Sequence, residues 1–119
     1  MEENCHRNAT NDIEVEKAKQ FIDSNNSVIE REAERLALLS SSVRLKIVLL
    51  LANFQKLCVC DLSTILKVKQ SAISQHLRKL KDGGILNKNR EGLTIYYYID
   101  IQKSPDILGL LNTLFKMKG

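Results

Sequence analysis

The chain has 119 residues, room for one domain and one modest hydrophobic core and too little for a second. With 44% apolar and 27% charged residues it has the balance of an ordinary soluble globular protein. A net charge of +4 and a pI near 9.0 favour an anionic partner, whether nucleic acid, an acidic membrane surface or an acidic protein. No apolar run approaches the roughly 20 residues of a membrane span. The polar opening MEENCHRNATNDIEVEK does not resemble a secretory signal, so a cytoplasmic address is expected. In that reducing compartment Cys5, Cys58 and Cys60 read as metal-binding or reactive thiols rather than structural disulfides.

In chain order, residues 1–12 have no periodicity and read as a flexible N-terminal arm, leaving 13–119 as the folded domain. Ile13, Ala18, Phe21 and Ile22 suggest a first helix, which the cluster Asp23-Ser24-Asn25-Asn26-Ser27 is expected to break. Ser27 and Glu30 then form a capping box for a helix to about Leu39 that buries Ala33, Leu36, Ala37 and Leu39. Ser41 or Ser42 caps a third segment, Val43 to about Phe54, whose run Leu45, Ile47, Val48, Leu49, Leu50, Leu51 is apolar nearly all round and belongs at the middle of a core. A short helix from about Asp61 to Leu66, a turn at Val68-Lys69-Gln70 and a helix from Ser71 to about Asp82 follow. Gly83-Gly84 stops that helix, with Gly83 suited to the left-handed cap. Two β-rich runs, Ile85 to Arg90 and Leu93 to Ile99, flank Glu91-Gly92 as a hairpin. Ser104-Pro105 opens the last helix, which carries Ile107, Leu108, Leu111, Leu114 and Phe115 at helical spacing.

The order of short helix, turn, helix and hairpin is the informative feature. Leu62, Ile65, Leu66, Val68, Ile73, Leu77 and Leu80 fit two helices crossing steeply, the geometry that presents a second helix to the major groove. The expected fold is mainly α with some β: a winged helix-turn-helix of about five or six helices and one β-hairpin wing. The outer side of the second helix carries Lys69, Gln70, Ser71, Ser74, Gln75, His76, Arg78 and Lys79, able to reach base edges and phosphates of double-stranded DNA. His76 reads equally as a DNA contact or as a histidine satisfied at the core edge. Lys88 and Arg90, at the hairpin tip, are placed for phosphate or minor-groove contact. Of Tyr96, Tyr97 and Tyr98, period-two alternation turns some inward, and packing is expected of at least two.

Three motifs together resemble the ArsR/SmtB family of metal-responsive repressors: Ser42-Val43-Arg44-Leu45-Lys46-Ile47-Val48-Leu49-Leu50-Leu51; Leu57-Cys58-Val59-Cys60-Asp61-Leu62; and Gln70-Ser71-Ala72-Ile73-Ser74-Gln75-His76-Leu77-Arg78-Lys79-Leu80 with Gly83-Gly84-Ile85-Leu86 and Arg90-Glu91-Gly92. The resemblance covers roughly residues 28–117. It implies a homodimer of winged helices held by the first and last helices, operator binding without ligand, and release on binding metal. Ser42-Val43 stands where the family usually has an acidic residue and proline, and Leu93 stands at a wing position that is often basic.

Cys58 and Cys60 lie where a helix begins, so the first is non-helical and the sulfurs can converge, in a setting that favours thiolate. Converging thiolates select soft ions: cadmium, lead, mercury, zinc, or trivalent arsenic and antimony. Two ligands make a poor site, and Cys5 lies on an arm able to reach another subunit. The cadmium- and lead-sensing branch of the family completes the pair with arm cysteines, usually two. Here Cys5 stands alone beside His6, giving three sulfurs with His6 available as a fourth ligand. The arsenic-sensing branch has a cysteine where Ser63 stands, and the zinc-sensing branch uses last-helix histidines, whereas no histidine follows His76. The plain alternative makes Cys58 and Cys60 half-buried core thiols.

The functional expectation is a metal-responsive repressor with a soft metal ion as effector, no organic cofactor and no membrane. Rival readings are a repressor responding to thiol oxidation or persulfide, and a winged-helix module that binds protein. An enzyme is not expected, because no nucleophile–base set, carboxylate pair, phosphate-binding glycine loop or His-Glu-x-x-His motif is present.

Overall fold

The computed structural model describes residues 9–115 and opens on one continuous helix, α1 (Ala9–Leu38). The break expected at Asp23–Ser27 is not there. Asn25 Nδ2 donates to the Phe21 carbonyl at 2.8 Å, so a side chain that could compete with the helix bonds along it instead. Residues 9–12, read as part of an irregular arm, are helical as well. Cys5 and His6 lie outside the described residues.

The chain divides into two compact units, Met1–Glu34 and Arg35–Gly119. In the first, Ile13, Phe21, Ile22, Val28 and Ile29 are exposed, and Lys17–Glu14 and Lys19–Glu16 pair along the helix surface. Ala33 is exposed too, contrary to the burial expected from its helical spacing.

The second unit holds the core. Ser41 lies in extended backbone and its hydroxyl accepts the Arg44 amide at 3.3 Å, which starts α2 (Ser42–Phe54). Ile47, Val48 and Leu51 of α2 are buried, and Val43, Leu45, Leu49, Leu50 and Ala52 pack around them. The chain then forms β1 (Leu57–Cys58), α3 (Val59–Leu66), α4 (Gln70–Asp82), β2 (Leu86–Glu91), β3 (Thr94–Ile99) and α5 (Ile107–Leu114). Leu62 of α3 and Ile73, Leu77 and Leu80 of α4 are fully buried in the same core as Ile85, Leu86 and Ile107. Of the residues at the end of α1, Leu38 and Leu39 pack on this core, while Leu36 and Ala37, expected inside, are exposed.

The sheet has three antiparallel strands in the order β1-β3-β2, one more than the hairpin read from sequence. Leu57 pairs with Tyr97 and Cys58 with Tyr96, while the hairpin runs from Leu86↔Ile99 to Glu91↔Thr94. Its two-residue loop places Gly92 at φ +65°, the sign that the tight hairpin turns require.

Two junctions differ from expectation. Gly84, not Gly83, takes the left-handed conformation, at φ +79°, whereas Gly83 has φ −80°. At Gly83 the constraint is space instead, since a Cβ there would displace the tip of the Leu38 side chain and lie 3.3 Å from the Lys79 carbonyl. Ser104-Pro105 does not begin the last helix: Ser104 is buried, its hydroxyl donates to the Gly84 carbonyl at 2.9 Å, and α5 starts at Ile107. The buried Asp100 shapes this turn by accepting the Gln102 and Lys103 amides at 3.2 and 3.1 Å and Asn87 Nδ2 at 3.3 Å. Asp106 accepts from Arg35 at 2.9 Å, and that hydrogen bond holds its carboxyl below the usual range.

Gly84→Ala places a Cβ in the left-handed region and should cost about 1–2 kcal/mol. A urea melt should show a lower midpoint at unchanged slope, and an unchanged midpoint would refute the assignment of the strained position to Gly84.

Candidate nucleic-acid interface and thiol pair

The reversal between α3 and α4 is set by two residues that composition does not advertise. Lys67 caps α3 in the left-handed conformation (φ 57°, ψ 45°), and its amide donates to the Ser63 carbonyl. The Ser63 hydroxyl donates to the Val68 carbonyl at 2.6 Å, closing the turn from inside. Ser63 is thus committed to the joint between the helices. Lys69 then caps α4 without a side-chain bond.

Ile73, Leu77 and Leu80 recur at i, i+4 and i+7 and take one stripe of α4 into the core. The rest of the helix is left outside. Lys69, Gln70, Ser71, Ser74, Gln75, Arg78 and Lys79 are all exposed. His76 differs: it is half-buried, with Nδ1 3.3 Å from Arg44 Nη1. An arginine has only protons to offer, so Nδ1 accepts and the ring is neutral with its proton on Nε2. Arg44 Nε also donates to the Leu38 carbonyl at 2.7 Å, which makes Arg44 and His76 a polar brace behind α4. Burial first, then the charges of Arg44 and Lys79, push the His76 pKa below its ordinary 6.5.

On the hairpin, Lys88 and Arg90 lie on one face of β2 and are exposed. A contact that no short-range pattern announces braces the other face. Lys56 Nζ donates to both carboxylate oxygens of Glu91, at 2.8 and 2.6 Å, and sits 4.8 Å over the Tyr96 ring. The wing tip is thereby clamped to the segment just before β1. Of the three tyrosines, Tyr97 packs on the core, Tyr96 carries Lys56, and Tyr98 is exposed.

The thiols lie at the foot of this assembly. Cys58 is extended (φ −98°, ψ 172°) and caps α3, while Cys60 is already helical. Asp61 Oδ2 accepts the Cys58 amide at 3.2 Å, an acidic cap at the positive end of the helix. Cys58 is half-buried, Cys60 is exposed, and both are free. Gln70 Nε2, at the start of α4, donates to Cys60 Sγ at 3.6 Å. Among the described residues no third His, Cys, Asp or Glu joins the pair in a metal-binding group. Also among them, no single helix is long and apolar enough to cross a membrane.

Residues 41–88, from the cap of α2 into the wing, match the family described as bacterial regulatory protein, arsR family. The transcriptional repressor PagR of Bacillus anthracis is 43% identical over 86 residues, covering 72% of this chain and 86% of PagR. This chain is an ArsR-family regulator. The cadmium resistance regulatory protein CadC of Listeria innocua is 38% identical over 62% of this chain and 60% of CadC. Among solved structures, that of PagR is 41% identical with a TM-score of 0.62, over 73% of this chain and 99% of PagR. Reduced HlyU from Vibrio cholerae is 30% identical with a TM-score of 0.65, over 82% of this chain and 99% of HlyU. A homodimeric winged helix-turn-helix domain from Mycobacterium bovis is 26% identical with a TM-score of 0.66, over 77% of this chain and 84% of that one. The family is one of DNA-binding transcription regulators and not of enzymes, and within it the arrangement of α3, α4 and the hairpin is a winged helix-turn-helix.

The neutral His76 has a consequence for stability. Its folded pKa lies below the 6.5 of an unfolded histidine, so above that value neither state binds the proton and the group adds no pH dependence. As pH falls below it, the unfolded chain takes the proton first and the fold loses stability until the lower, folded pKa is passed. Urea midpoints compared at about pH 7.5 and about pH 5.5 should fall more for the natural chain than for His76→Gln. Equal falls would remove the brace as the cause.

Proposed function

We propose that this ArsR-family regulator is a cytoplasmic, metal-responsive repressor that holds double-stranded operator DNA as a ligand-free homodimer. It lets go when Cys58 and Cys60 capture a soft ion: cadmium, lead, zinc, mercury, or trivalent arsenic or antimony. Cys5 and His6, which precede α1 in the sequence, complete the site. One observation carries the reading: two free thiols at the first turn of α3, the helix on whose far end α4 is hinged. Thiolates select soft cations, and this pair sits on the helix that leads directly into α4. The regulator of Listeria innocua is named for cadmium resistance, which agrees with a thiol-bound soft ion here.

DNA is met by Lys69, Gln70, Ser71, Ser74, Gln75, Arg78 and Lys79 of α4 and by Lys88 and Arg90 of the wing. Their exposure supports this, and the bond from His76 to Arg44 favours its alternative role behind the helix. Dimerisation is supported by the exposed apolar residues Ile22, Ile29 and Leu36, which recur every seventh position along α1, with Leu108 and Leu114 exposed on α5. The Mycobacterium bovis neighbour is described as homodimeric.

A second reading uses the same thiols without metal. The exposure of Cys60 beside Cys58 suits oxidation to a linked or capped form, and the HlyU neighbour is described in its reduced state.

An anaerobic titration of the reduced protein with cadmium, lead, zinc, mercury and arsenite separates these readings. Sulfur-to-metal ultraviolet absorption and operator-DNA anisotropy are read in one cuvette. At least one ion should raise the absorption and weaken DNA binding by about 5–150-fold, the range of ordinary allosteric couplings. Cys58→Ser with Cys60→Ser should abolish both signals. Unchanged DNA affinity with every ion would end the metal reading, and release by oxidant under chelator would install the redox one. DNA affinity should also fall steeply and linearly in log salt, and a flat response would exclude phosphate contacts altogether.

A further inference from the structure

The contact between Cys60 and Gln70 joins the thiol pair to the DNA-reading helix through one side chain. Cys60 Sγ is the only hydrogen-bond partner of the Gln70 side chain among the described residues. Gln70 is the first residue of α4 and is exposed, at the end of a recognition helix that goes deepest into a major groove. Its carboxamide has the donor and acceptor that read adenine edge-on. The geometry points to Cys60 as a positioning residue for Gln70: the free Cys60 thiol aims the Gln70 amide for DNA, and bonding at the Cys60 sulfur disarms it. This inference rests on the reading of α4 as the DNA-reading helix and of the thiols as the sensing pair.

Divalent sulfur accepts a weak hydrogen bond through its lone pairs at the distance seen here. A cation or a covalent cap takes the place of the thiol proton and adds bulk beside Sγ, crowding the Gln70 nitrogen that lies 3.6 Å away. The amide must then rotate away, while the α4 backbone stays fixed by the buried Ile73, Leu77 and Leu80. What is lost is the alignment of one long, otherwise unsupported side chain, which then has to be ordered by DNA itself. Nearby polar groups do not replace the sulfur: Asp61 is engaged by the Cys58 amide, and the Ser63 hydroxyl by the Val68 carbonyl.

The test needs no metal. In a Cys5→Ser, Cys58→Ser background Cys60 is the sole cysteine of the full chain. N-ethylmaleimide then caps it: the sulfur adds to one alkene carbon, the thiol proton ends on the other, and nothing is oxidised or reduced. Operator affinity is measured by anisotropy before and after capping, with Gln70 present and with Gln70→Ala. Capping should weaken binding about tenfold with Gln70 and less than twofold with Gln70→Ala. The side-chain amide resonances of Gln70 should shift on capping in the free protein, where no DNA clash can act. A capping penalty of equal size in both backgrounds, an absent one, or an unmoved Gln70 amide would each overturn the link. Capping that works as expected while none of cadmium, lead, zinc, mercury and arsenite releases DNA from the natural chain would sink the metal reading and leave this link standing.

Discussion

Ile47, Val48 and Leu51 make a ridge along α2 that water does not reach, and both the helix pair and the sheet are seated on it. Each such side chain contributes on the order of 1.5–3 kcal/mol by leaving water, so this ridge, more than any polar contact, sets where α4 lies. Because α4 gives the core only the stripe Ile73, Leu77 and Leu80, its remaining surface is released for something outside the chain. That division explains how a small domain can hold a helix firmly and still offer most of it to a partner. The same ridge explains why α2 is apolar nearly all round, a pattern that would be a liability on any helix with a wet side.

The polar side chains sort into those engaged by the fold and those left outside it. Ser63, Arg44, Asp61, Asp100 and Ser104 each close a joint between elements, and no side-chain nitrogen or oxygen buried among the described residues lacks a partner. By contrast Lys69, Ser71, Ser74, Gln75, Arg78 and Lys79 make no side-chain hydrogen bond or ion pair among the described residues. A cation held in no internal pair keeps its full attraction for a polyanion. Gln70 stands on the boundary between the two groups, which is why its one weak bond matters.

Much of this was legible in the residues alone. The apolar spacing of α2, α3 and α4, the Ser41 cap and the hairpin around Gly92 follow from local rules that the fold obeys. The misreadings occur where local preference competes with something longer in range. The cluster Asp23–Ser27 reads as a break because its side chains favour turns, yet Asn25 bonds back onto the helix. Strand β1 is two residues long, too short for any alternation to show, and exists because β3 offers it an edge. Gly83 and Gly84 look alike in sequence, and only the fold shows that the first faces Leu38 while the second takes a positive φ. In the site, Arg44–His76 and Lys56–Glu91 join residues 32 and 35 positions apart, so no motif points to them. The cysteine pair was visible at once, while the bond from Cys60 to Gln70 required the crossing of two helices.

The clamp of Lys56 on Glu91 also bears on how ionic strength acts on the isolated molecule. It is a contact between two half-exposed charges at the root and tip of the wing, so mobile ions weaken it whether or not a polyanion is bound. Added electrolyte therefore slackens the hairpin at the same time as it competes for any phosphates. A counterion number taken from the slope of binding against salt would fold an internal loosening into a tally of external contacts, and would come out too large.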